Sequence, residues 1–284
     1  MRSALFTVVV ALATAGCMAG TEDVSESHEA IVDGTLDFNN HPAVVLLYNA
    51  NRGAQCTGSI VAPRAVLTAK HCVQGRGAFA DDASAFRVYT GSSVMSFSAE
   101  YRVSEVLAAP GAWDIRSGDN TDVAMLILST PAPVEPLEVS FDSPRSLIGD
   151  TITAVGFGQT PSGGSGTKFR TDKRVQRVLG DLIFVEPAVC EGDSGGPLIG
   201  PDGRSYGVAS FIFDIDGSRP TCGTAEGVYN GWDSGTLREF IMDGVAASGA
   251  CASDGEETCD GDDNDCDELI DEGCIPLGEG CSSG

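Results

Sequence analysis

Three stretches far apart in the chain carry side chains able to make and break covalent bonds. The first is Cys190-Glu191-Gly192-Asp193-Ser194-Gly195-Gly196-Pro197. A serine set between glycines, right after an aspartate, makes a poor core and a poor helix. It suits a tight loop that presents one hydroxyl and its own backbone N–H groups, because glycine allows unusual angles and close approach. A serine hydroxyl alone is a weak nucleophile. It needs a base, and the base needs a group to orient it. Leu67-Thr68-Ala69-Lys70-His71-Cys72 offers the base, after a run of strand-formers. Asp122-Val123-Ala124-Met125-Leu126-Ile127-Leu128 offers a carboxylate at the mouth of an apolar strand. Singly, each has a plain structural reading: a buried imidazole, a strand-end cap, a turn. Jointly they suit acyl transfer by an activated serine.

The elements that must bring these residues together read as strands. Short β-rich runs are broken by Gly, Pro and Asn: His41 to Tyr48, Cys56 to Val61, Phe86 to Tyr89, Val103 to Leu107 and Val123 to Leu128. More follow at Thr151 to Val155, Val175 to Leu179, Leu182 to Val185 and Tyr206 to Phe213. This is an all-β signature, and many short strands at regular spacing predict a barrel or sandwich. Leu237 to Ala247 reads as a short closing helix.

At 284 residues the chain can hold one or two domains with real cores. Its formal net charge of -24 argues against a phosphate- or nucleic-acid-binding role, which needs cationic surface. About half of that excess lies in residues 252–284, with twelve Asp or Glu and no Lys or Arg. Ten cysteines point to an oxidising compartment. The N-terminus agrees: Arg2 is a short basic segment, and Ala4 to Ala15 is an apolar run too short to span a bilayer comfortably. Residues 1–17 therefore read as a signal peptide. Its end, Thr14-Ala15-Gly16-Cys17, resembles a bacterial lipoprotein cleavage site, where Cys17 would be lipidated; Thr14 departs from that pattern, and plain secretion is the alternative. Membrane attachment is expected by lipid only. Residues 18–30 are polar and acidic without periodicity, and read as a tether or pro-segment.

The His, Asp and Ser motifs, in that order and with these flanks, resemble the trypsin/chymotrypsin family of serine peptidases from about Ile31 to Ser248. The resemblance implies two six-stranded antiparallel β-barrels, at about residues 31–140 and 141–248, with the site in the cleft between them. It implies a serine endopeptidase with a protein or peptide substrate and no required cofactor. His71, Asp122 and Ser194 would be the triad, Gly192 and Ser194 the oxyanion hole, and Ser210 a support for Asp122. The specificity pocket would fall on Ala188, Ile212 and Gly227. An uncharged Ala188 and a β-branched Ile212 predict small or medium aliphatic side chains before the scissile bond. Cys56–Cys72 and Cys190–Cys222 would be disulfides. Ile31-Val32-Asp33-Gly34 resembles the family's mature N-terminus, whose new ammonium would pair with Asp193. The residue before it is Ala30 rather than Lys or Arg, so activation needs a different protease or self-processing.

Residues 249–284 form a separate acidic, Cys-rich and irregular tail. It resembles a Cys/Asp-rich repeat of secreted bacterial proteins associated with metal binding. Asp260, Asp262, Asn264 and Asp271 have spacings suited to a hard cation such as Ca²⁺, although Asp265 stands where a calcium loop needs its glycine. A solvated, disulfide-stapled stalk is the alternative. A non-catalytic binding or adhesion protein, using the scaffold and a calcium-binding tail, is the other class of function; intact His71, Asp122 and Ser194 disfavour it.

Overall fold

The computed structural model describes residues 31–74, 79–111, 121–159, 164–217 and 219–250. Cys17, the segment before Ile31, and Asp260, Asp262, Asn264 and Asp271 of the tail lie outside the described residues. Among those described, no helix is long and apolar enough to cross a membrane.

The first barrel closes on itself from β2 (Val44–Asn49), β3 (Ala54–Ala62), β4 (Ala65–Thr68), β5 (Phe86–Gly91), β6 (Phe97–Ala108) and β7 (Ala124–Leu128), in the order β2-β3-β4-β7-β6-β5. The second is built from β8 (Thr151–Gly156), β9 (Phe169–Leu179), β10 (Leu182–Val185), β11 (Pro197–Ile199), β12 (Ser205–Phe213) and β13 (Glu226–Asn230). Its strands run β9-β10-β13-β12-β11-β8, and β8 pairs back to β9 to close it. A two-residue strand, β1 (Thr35–Leu36), joins the outside of β9. Two helices complete the frame: α1 (Lys70–Gln74) and α2 (Gly235–Ala247).

Side-chain alternation explains how the barrels pack on each other. Successive residues of a strand face opposite sides. Along β2, Val45 and Leu47 enter the first barrel's core, while Val44 and Leu46 pack outward against Val155, Phe157 and Ile199 of the second. Along β7, Ala124, Leu126 and Leu128 face inward. Met125 and Ile127 face outward, onto Trp232, Leu237 and Ile241 at and before α2. Both strands are buried on both faces, so they read in the sequence as unbroken apolar runs.

The N-terminal stretch crosses over. Ile31 is fully buried in the second barrel's core and Val32 N–H donates to Ala188 O at 3.0 Å. A clean division at 140/141 thus has two arms out of place: 31–36 sits on the second barrel and α2 sits on the first.

Candidate active site

Antiparallel pairing of β4 with β7 delivers the first two functional side chains. Thr68 stands opposite Ala124. His71, just past the end of β4 in α1, and Asp122, just before β7, therefore meet at the same end of the ladder. Asp122 is fully buried and both its oxygens are engaged. Oδ1 accepts from the His71 backbone N–H at 2.8 Å, and Oδ2 contacts His71 Nδ1 at 2.8 Å. Oδ2 also accepts the Ser210 hydroxyl at 2.5 Å. The Asp122 N–H donates to Asn230 Oδ1 at 2.8 Å, which fixes the carboxylate from behind. A buried carboxylate held this way fixes the imidazole's tautomer, with Nδ1 carrying the proton and Nε2 left to face the cleft.

Ser194 comes from the second barrel, on the loop between β10 and β11. Gly195 N–H donates to Ala209 O at 2.7 Å and Ala209 N–H to Gly196 O at 2.8 Å, which pins this loop to β12 beside Ser210. The loop is also pinned across the cleft. Thr57 N–H on β3 donates to Ser194 O at 2.8 Å, and Thr57 Oγ1 donates to Gly192 O at 2.9 Å. Within the loop, Asp193 N–H donates to Cys190 O at 3.1 Å and Gly196 N–H to Asp193 O at 2.8 Å. Gly192 has φ +96, and a Cβ there would stand 2.9 Å from Gly158 Cα, so only glycine fits. The Ser194 side chain is half-buried and lines the adjoining cavity.

A cavity of about 250 Å³ opens beside Ser194. Val189, Ala209, Phe211 and Ile212 supply its apolar walls, and the exposed Glu191 also lines it. Ile212 pairs directly with Gly227 across β12 and β13. Ala188 is fully buried and lies behind Val189 rather than on the surface; a Cβ at Gly227 would be 3.4 Å from Val189 Cγ2 and 3.5 Å from Ala188 Cβ. Of the three residues expected to form a specificity pocket, Ile212 lines this cavity, and Ala188 and Gly227 are not among its lining residues.

Asp193 is buried beneath the nucleophile loop. Its oxygens accept from Gly158 N–H at 2.7 Å and Cys190 N–H at 2.9 Å. Burial raises its carboxyl to about 7, and these two N–H groups only partly offset that cost. In this uncut chain Ile31 is already inside the same barrel, but as part of a peptide bond it brings no ammonium.

The cysteines divide. Cys56 and Cys72 are bonded, tying β3 to α1 next to His71. The expected Cys190–Cys222 bridge is absent, and both are free thiols. A turn closed by Ala225 N–H to Thr221 O at 3.1 Å leaves Cys222 exposed, in contact with the buried Cys190 but not bonded to it. Burial first, and the Cys222 thiol next, push the Cys190 thiol up, so it stays protonated. Cys56, His71 and Cys72 are the one cluster of metal-ligand types among the described residues. Their sulfurs are bonded to each other, so neither offers the thiolate a metal requires.

Sequence reasoning did not find Thr57, Asn230, Val189 or the burial of Lys70. Each acts through partners distant in sequence, and no local pattern marks them.

The trypsin family model matches residues 32–234. The chain is 28% identical over 196 residues to a trypsin of Saccharopolyspora erythraea, covering 62% of this chain and 83% of that one. It is 25% identical over 266 residues to a venom serine protease of Polistes dominula, covering 88% and 87%. A trypsin of Simulium vittatum is 31% identical over 185 residues, covering 55% and 70%.

Proposed function

The chain belongs to the trypsin family and is a serine endopeptidase, and from that premise we propose how its residues divide the work. Ser194 Oγ bonds to the carbonyl carbon of the scissile peptide while its proton passes to His71 Nε2. His71 then gives a proton to the departing amine as the C–N bond breaks. Water repeats the sequence on the resulting ester and frees Ser194. Asp122 keeps the imidazole in the required tautomer and stabilises the imidazolium, with Ser210 holding the carboxylate. The N–H groups of Gly192 and Ser194 receive the oxyanion, each such donor being worth about 3 kcal/mol of barrier. The observation that most supports this reading is the Asp122 carboxylate, fully buried with both oxygens committed to His71 and Ser210. Pre-steady-state hydrolysis of an activated ester tests it. A burst equal to the enzyme concentration is expected, lost in Ser194→Ala; a burst that survives the substitution overturns the assignment.

The substrate is a protein or peptide with a small or medium aliphatic residue before the scissile bond. Ile212 narrows the cavity, and no cationic substrate group would find a charge on Ala188, Val189 or Gly227. Glu191, the one charged residue among those lining the cavity, is solvent-exposed. A peptide-library profile dominated by Lys or Arg contradicts this.

Cleavage before Ile31 activates the chain by bringing the new ammonium to Asp193. Ala30 belongs to the side-chain class the pocket accepts, so a second copy of the enzyme can perform the cut. Ser194→Ala then accumulates uncut unless active enzyme is added. If Cys17 carries lipid, the same cut releases the peptidase from the membrane, and active enzyme still bearing lipid counts against that. The folded unit is residues 31–248, exported by the segment 1–17. The tail takes Ca²⁺ through Asp260, Asp262, Asn264 and Asp271, and calorimetric titration of the full chain with Ca²⁺ tests this.

A further inference from the structure

One charged side chain beside the site is used by none of these steps. Lys70 immediately precedes His71, yet its side chain turns inward and is 4% exposed. Lysine is almost never buried to this extent without partners. Here Nζ donates to Ala109 O at 2.5 Å and to Gly111 O at 2.8 Å. Ala109 follows directly on β6, and its own N–H donates to Val123 O at 3.0 Å, one residue after Asp122. The lysine therefore straps α1, which carries His71, to the chain that flanks Asp122. Two carbonyls satisfy its hydrogen bonds but carry no net charge. Burial alone makes the ammonium costly, and the field of Asp122 is what favours it.

We propose that Lys70 is a positioning residue for the reaction: its buried ammonium holds His71 in register with Asp122 and is the fixed positive charge that balances the Asp122 carboxylate. The role rests on the triad reading above. Around this pair stand the Ala109 and Gly111 carbonyls from the end of β6, the Ser210 hydroxyl from β12 and the Cys56–Cys72 disulfide from β3. None of these described neighbours is charged; Asp114, Arg116 and Asp119, which follow Gly111 in the chain, lie outside the described residues. A carboxylate alone favours the imidazolium, and a nearby ammonium opposes it. His71 accepts the Ser194 proton only when neutral. Lys70 therefore extends activity toward lower pH, as well as fixing geometry.

The test is the pH dependence of kcat/KM between about pH 5 and pH 9 for the cleaved enzyme and for Lys70→Met and Lys70→Arg. In Lys70→Met the acid limb moves to higher pH by about half a unit or more, and the plateau kcat falls several-fold with KM little changed. Lys70→Arg keeps the acid limb of the parent and recovers part of the plateau. A Met variant with the parent's acid limb overturns the proposal, whatever its plateau, because a purely structural lysine lowers activity without moving the limb. Should the Met variant not fold, Lys70→Gln retains a donor for the carbonyls without the charge and is read the same way. Ser194→Ala run alongside separates the two readings. Hydrolysis that survives in it removes the triad itself; a parent-like limb in Lys70→Met beside an inactive Ser194→Ala removes only the role of Lys70.

Discussion

Asp193 shows how one residue can make stability depend on pH. Burial raises its carboxyl to about 7, above the unfolded value near 4. In the uncut chain the folded state therefore binds the extra proton between these values. Its contribution to stability is complete below about pH 4 and is lost as pH rises toward 7, by about 4 kcal/mol at most. Thermal melts of the uncut Ser194→Ala chain should show this fall, and Asp193→Asn in the same background should flatten it. Equal pH dependence in the two would contradict the account. If cleavage before Ile31 frees an ammonium that pairs with Asp193, as proposed, the fall should disappear in the cleaved chain. Asp122 acts at the same scale on catalysis. Asp122→Asn preserves shape but favours the wrong imidazole tautomer, so steady-state kinetics should show kcat lowered about ten-thousand-fold.

Strands act by holding loops. β3 places Thr57 so that its hydroxyl joins two segments of the second barrel: it donates to Gly192 O and accepts from Phe157 N–H at 3.0 Å. Thr57→Val keeps the shape and leaves a buried N–H and a carbonyl unpaired, a cost of about 1–3 kcal/mol. If Gly192 and Ser194 form the oxyanion hole as proposed, freeing the Gly192 peptide should loosen it, and kcat should fall by about tenfold or more with KM little changed. A variant of normal kcat would show that Thr57 does not set the loop. On β12, Ile212→Ala enlarges the cavity and should move selectivity in a peptide library toward larger apolar side chains. These strands differ in how plainly the sequence announces them. The predicted run from Thr151 to Val155 is β8 less one residue, and Leu182 to Val185 is β10, because each has the apolar density of a buried strand. The three-residue β11 and the glycine-containing β13 have no such pattern; register with β12 creates them. His71 was legible from its neighbours, but the α1 turn around it was not, since five residues carry no helical period. Thr57, Asn230 and Lys70 look like ordinary polar residues in a strand or turn until their distant partners are known. Cys222 is the opposite case: its place beside Cys190 was legible, but not that the two thiols would meet without a bond.

At the scale of the molecule, each barrel lends an arm to the other. β1 pairs with β9 although the chain continues into the first barrel, and α2 leaves the second barrel to cover Met125 and Ile127 of β7. The cleft is thereby held by crossed connections as well as by the contact of β2 with β8. Leu237 of α2 is fully buried and packs in the seam with Met125 and Ile127 of β7. Leu237→Ala should cost about 2–5 kcal/mol and lower a single cooperative melting transition. Two separated transitions by calorimetry would show instead that the barrels unfold independently. Catalysis depends on this crossing, because His71 and Asp122 belong to the first barrel and Ser194 to the second. The most direct measurement is intact-mass analysis after exposure of the cleaved enzyme to a fluorophosphonate. The account predicts one adduct per chain, on Ser194, formed far more slowly in His71→Ala and not at all in Ser194→Ala. A folded, cleaved chain that takes no adduct, or one that labels equally well without Ser194, would contradict it.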